Sequence, residues 1–146
     1  MQSELLRPDH PVLFGYDQKT LPVRWHSAQG SEGALLQVAG AGPGGGGPEG
    51  GAPPPTEIPG GRPTVIARFQ GGDAGVLSGL MRGADQLRNR PMIVDAPAAK
   101  GRVLMFVNNP IYRWQTFGEH ALVFNALLFH NDFPPAGERR STSTQP

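Results

Sequence analysis

Side chains able to do chemistry are sparse in this chain. The four histidines, His10, His26, His120 and His130, are the first candidates for metal ligands or general bases. His120 and His130 fall on one predicted helix. At about 100° per residue their spacing leaves them roughly 80° out of register, so they do not converge on one ion. His120 follows Glu119 in the first helical turn, where a solvated role is expected. His130 closes the helix, where a cationic ring complements the C-terminal dipole. Asp9-His10 suits a turn better than half of a catalytic pair. Ser78, in Leu77-Ser78-Gly79-Leu80, lacks the G-x-S-x-G turn that presents a serine nucleophile. There is no cysteine, hence no thiol nucleophile and no disulfide. The densest polar cluster is Asn108, Asn109, Tyr112, Arg113 and Trp114, just after an apolar run. Open α/β sheets place ligands at such strand ends, so these five residues are the ligand or interface candidates. The simpler expectation is that the Asn side chains bond local backbone and that Trp114 packs on the sheet edge.

The elements that must position this loop follow from the patterning. Val103–Val107 is an apolar run without alternation, which predicts a strand covered on both faces. Met92–Val94 is a second run, and the short segment 95–101 between them predicts an antiparallel hairpin with a loose loop. Thr116-Phe117-Gly118-Glu119 fits a capping box at the start of a helix. From Glu119 to His130, apolar residues cover most of the helical circumference, which predicts a buried helix. Asn125 inside it must find a partner, expected in a neighbouring loop. Thr64–Gln70 alternates, with Val65, Ala67 and Phe69 on one face, and predicts a half-buried strand pairing with Leu35–Val38. Shorter apolar pieces occur at Val12–Phe14 and Leu21–Val23, and Gly75–Arg82 suits a short helix or turn.

A resemblance rests on Gly101-Arg102-Val103, Asn109-Pro110, Arg113-Trp114-Gln115-Thr116 and Phe124-Asn125-Ala126-Leu127-Leu128. Asp9–Tyr16, Leu21–Arg24, Leu77–Leu80 and Pro91–Asp95 fit with less specificity. This pattern resembles the C-terminal end of bacterial zinc carboxypeptidase-like proteins of the M14 type. The resemblance implies an α/β fold: a partial three-layer, class I glutamine-amidotransferase-like domain with a mixed sheet and a buried C-terminal helix. It also implies a separate metallopeptidase domain that holds the zinc. That chemistry needs an H-x-x-E pair and a distant histidine, and none of the four histidines here is followed three residues later by Glu. The amidotransferase reaction needs the cysteine that this chain lacks. No catalytic residue, no metal ligand and no cofactor are therefore expected in the chain itself, and zinc belongs to the companion domain.

Composition bounds the rest. Between Gly40 and Pro63, 17 of 24 residues are Gly or Pro. Such a stretch buries too little apolar area to offset its ordering entropy and is expected to be disordered. The expected organisation is residues 1–38 and 64–133 as two parts of one α/β domain, 39–63 as the insertion and 134–146 as a disordered tail. Thirteen basic against 12 acidic residues, with no basic stripe, argue against nucleic-acid binding. No apolar run reaches the roughly 20 residues of a membrane span, and residues 1–12 have no signal-peptide core, so no compartment is assigned. The polar opening segment Met1–His10 is atypical of a doubly wound domain, so exposed apolar sheet surface is expected. The leading expectation is a non-catalytic C-terminal accessory domain or fragment of an M14-like carboxypeptidase. Its partners would be the catalytic domain or a second copy. The alternative is a stand-alone binding module that uses the loop 108–114.

Overall fold

Both apolar runs become neighbouring strands of one five-stranded sheet. The structure, a computed structural model, describes residues 1–25, 63–79, 81 and 84–134. Its strands are β1 (Gln2–Leu5), β2 (Thr20–Pro22), β3 (Thr64–Phe69), β4 (Pro91–Ala98) and β5 (Gly101–Phe106), in the spatial order β2-β1-β3-β4-β5. Two α-helices accompany them, a single turn α1 (Gly72–Gly75) and the longer α2 (Phe117–Leu128). The fold is thus mixed α and β. The expected strand Leu35–Val38 and the Gly/Pro insertion lie outside the described residues.

The mixed sheet is corrected. Every pairing among the described strands is antiparallel. The physical reason lies in the connections. β4 and β5 are joined by a two-residue turn at Ala99-Lys100, tighter than the expected loose loop, and a turn that short returns the chain antiparallel. Ala99 sits at φ 52°, a left-handed conformation costing roughly 1 kcal/mol for a residue with a Cβ. Ala99→Gly is expected to raise stability by about 0.5–1 kcal/mol, since the relief of strain exceeds the added chain entropy. Thermal denaturation checks this, and a lowered midpoint would contradict it.

β1 is a strand the patterning did not announce. Gln2 and Glu4 face outward while Ser3 and Leu5 are buried, a short alternation carried by one serine and one leucine. Ser3 Oγ donates to Leu21 O at 2.8 Å, so its burial is satisfied. β3 departs from strict alternation. Register shifts around Ala67 put Ile66, Ala67 and Phe69 all in the core, as a bulge does.

The fully covered strand is β4, buried from Pro91 to Pro97. β5, expected to be covered on both faces, lies at the sheet edge, and its Val103 is 49% exposed. Leu5, Val12, Leu13, Ile66, Phe69, Met92, Ile93 and Leu122 belong to one core cluster. α2 contacts the 3₁₀ turn Pro11–Leu13 and contributes Leu122 to that cluster. Asn125 meets its expectation, donating from Nδ2 to Val12 O at 3.0 Å and to Phe14 O at 2.8 Å.

The buried helix is the second correction. Only Glu119, Leu122 and Asn125 of α2 are buried, while Phe117, Phe124, Leu127 and Leu128 are between 62% and 72% exposed. Stepping about 100° per residue, positions 117, 121, 124 and 128 fall within a stripe of about 60°, opposite Leu122. α2 packs on the 3₁₀ turn Pro11–Leu13 and reaches the core through Leu122, so a helix apolar all round keeps an uncovered apolar side.

Candidate functional site

The carboxyl group of Glu119 is the centre of the most unusual environment. In a capping box it would reach back to the N–H of Thr116. Instead Thr116 Oγ1 donates to Pro110 O at 2.7 Å, and no side chain caps the helix. Glu119 turns inward and is 2% exposed. Its Oε1 accepts from the Arg24 backbone N–H at 3.0 Å, and its Oε2 accepts from the Asn108 amide. One carboxyl thereby ties the segment after β2 and the loop after β5 to the first turn of α2. Burial pushes it from the ordinary 4.5 up to about 7, against the opposing pull of the Arg24 N–H, the Met1 ammonium and the Asn108 amide.

A cleft of about 800 Å³ opens beside this group. The segment after β2 supplies Arg24 and Trp25, the segment after α1 supplies Val76–Gly79, and the start of α2 supplies Gln115–Glu119. Trp25 is braced edge-on against the core residue Phe69, with ring centroids 5.2 Å apart. Arg24 is held from two directions. Its Nη1 donates to Gln115 Oε1, and its guanidinium lies 4.6 Å from the centre of the Tyr112 ring. Tyr16 fixes the floor of α2 by donating its hydroxyl to Gly118 O at 2.6 Å. Burial raises that phenol to about 12, so it stays a donor throughout the neutral range.

The five loop candidates divide among different tasks. Asn108 is buried and engaged with Glu119. Asn109 bonds local backbone as expected, its Oδ1 accepting from Ile111 N at 3.2 Å. Tyr112 supports Arg24. Arg113 and Trp114 are exposed and both take left-handed backbone angles, φ 45° and 56°. Trp114 does not pack on the sheet edge. It sits against Phe117 and His120 at the start of α2, with centroids 6.1 and 5.5 Å away.

A second polar cluster joins residues far apart in sequence. His10 and Asp95 are both buried, with His10 Nε2 3.5 Å from Asp95 Oδ2. His10 Nδ1 accepts from Val12 N–H at 3.2 Å, which places the imidazole proton on Nε2, facing the carboxylate. Arg102 Nη1 donates to the same Oδ2 at 2.7 Å, and its Nη2 reaches Pro134 O at 3.1 Å. Phe133 stacks beside His10 and under Arg102, at 4.7 and 5.2 Å. This cluster locks the turn at 10–13, the β4–β5 hairpin and the segment after α2 together. It presents no nucleophile.

Among the described residues, no three His, Asp or Glu side chains gather closely enough to hold a metal ion, and no helix is long and apolar enough to cross a membrane. His26 lies outside the described residues. His120 packs on aromatic rings, and His130 Nδ1 is 3.0 Å from Leu127 O at the helix end. Ser78 is exposed at the cleft wall. Sequence reasoning missed Arg24, Glu119 and the His10–Asp95 contact. Only Glu119 had a local signal, as the sole acid in a largely apolar helix. No family model, no curated protein and no solved structure matches this chain.

Proposed function

We propose that this chain is a non-catalytic accessory domain of an M14-type zinc carboxypeptidase-like protein, and that it docks on the companion catalytic domain through the outer side of α2. The observation that carries the reading is the division of labour within Phe124-Asn125-Ala126-Leu127-Leu128. Asn125 serves the chain's own fold, whereas Phe124, Leu127 and Leu128 point away from it. Three large apolar side chains exposed within one helical turn mark a contact surface. They belong to the segment that carries the resemblance, which is why the companion domain is the chosen occupant. In this reading the sheet and α2 form part of a three-layer, amidotransferase-like arrangement, with the companion covering α2. Zinc and peptide hydrolysis belong to the companion.

The test is calorimetric titration of the chain into an M14-type catalytic domain encoded in the same genome. The expected result is a saturable one-to-one complex with a negative heat-capacity change, the mark of apolar burial. No heat and no co-migration at about 100 μM, a concentration that detects even weak complexes, would remove the support for this function. A second reading, a small-ligand binding module, is favoured by one observation: Arg24 is held at the cleft by Tyr112 and Gln115.

A further inference from the structure

We infer that the cleft between Arg24, Trp25, Leu77 and the start of α2 is a binding site for a small monocarboxylic acid with an aromatic or branched apolar body. The inference is independent of docking through α2, because the cleft and the helix stripe use different side chains; Phe117, which borders both, is left unaltered in either test. The open cleft, about 800 Å³, falls in the range of about 300–1,000 Å³ typical of small-molecule sites. Its apolar side is built by Trp25, Leu77 and Phe117. Its charge-bearing donor is the Arg24 guanidinium, a planar fork matched to a carboxylate. Stacking on Tyr112 and the bond to Gln115 fix the plane of that fork and leave further N–H donors for a ligand. Among the described residues no carboxylate pairs with the Arg24 side chain.

Glu119 shapes the choice of ligand. Both its oxygens already accept hydrogen bonds, from the Arg24 backbone and from Asn108, so it does not offer itself to a cationic ligand. Its carboxyl faces the same cleft and repels a second negative charge, which disfavours a dianion such as a phosphate monoester. A ligand with one negative charge and a flat or branched apolar body suits both the Arg24 guanidinium and the Trp25–Leu77–Phe117 side of the cleft.

The experiment uses 3-phenylpropionate as the probe and its uncharged amide as the control, with Trp25 fluorescence read in a Trp114→Phe background. The expected result is a saturable change for the acid, at least about tenfold weaker for the amide and for Arg24→Gln, with Arg24→Lys in between because an ammonium cannot form the bidentate pair. Equal affinity for acid and amide, or no saturable change with the acid, overturns the assignment. If Arg24→Gln fails to fold, Gln115→Ala frees the guanidinium without touching Glu119. A weakening of the acid alone then supports the site, and unchanged affinity overturns it.

Discussion

Replacing Asp95 with alanine is expected to lower the stability of the fold by about 3–5 kcal/mol, the largest loss anticipated for a single polar side chain here. Asp95 is 2% exposed and faces two cationic or dipolar partners at once, Arg102 at 2.7 Å and the Nε2–H of His10 at 3.5 Å. Removing the carboxylate takes the facing charge from a buried imidazole and the 2.7 Å partner from Arg102, which keeps its contacts with Phe133 and Pro134. Arg102 recovers some hydration at the edge, whereas His10 cannot. Urea denaturation at neutral pH measures the loss, and a change below about 1 kcal/mol would mean that the cluster is incidental to the fold. Asp95→Asn keeps the shape and part of the bonding, so about 1–3 kcal/mol is expected for it, and it is the variant to read if the alanine form does not fold.

Glu119→Gln carries the opposite sign. A carboxyl whose folded pKa is raised from 4.5 to about 7 binds more protons folded than unfolded across that interval. Stability therefore falls as pH rises from about 4.5 to 7 and is level above, by the linkage between proton uptake and unfolding. At roughly 1.4 kcal/mol per unit the full effect is of order 3 kcal/mol. Glutamine keeps an oxygen for the Arg24 N–H, and its NH₂ can face Asn108 if that amide turns its oxygen inward. Asn108 Oδ1 has no hydrogen-bond partner among the described residues, so the turn sacrifices nothing there. The variant is expected to match the wild type near pH 4.5 and to exceed it by about 2–3 kcal/mol at pH 8. Denaturation midpoints of both proteins across pH report this group together with the Met1 ammonium coupled to it. Parallel curves would mean that Glu119 titrates alike in the folded and unfolded chain.

These two residues also show where the sequence was readable. The β4–β5 hairpin was legible because Met92–Val94 and Val103–Val107 are apolar runs separated by too few residues for anything but a reversal. Asn125 was legible because a polar amide in an apolar helix must be paired. Glu119 was misread because its local pattern with Thr116 was self-consistent. The competing bond from Thr116 to Pro110 exists only once the loop after β5 folds back. His10 and Asp95 meet through tertiary packing alone, and no spacing rule joins them. The exposure of α2 was missed for a different reason. Residue types report how apolar a helix is, but not how much surface the rest of the chain has to cover it. β1 was missed because its inward positions, Ser3 and Leu5, include only one apolar residue.

Phe124 and Leu128 are proposed to serve contact with another surface and not the chain's own packing. One experiment pairs two readings on the double variant Phe124→Glu, Leu128→Glu: the denaturation midpoint and the titration against an M14-type catalytic domain, the proposed companion. Both side chains are more than 60% exposed. Stability is expected to stay within about 0.5 kcal/mol of wild type while the complex is lost. A fall in stability of several kcal/mol would contradict it, and so would a variant that binds as well as the wild type.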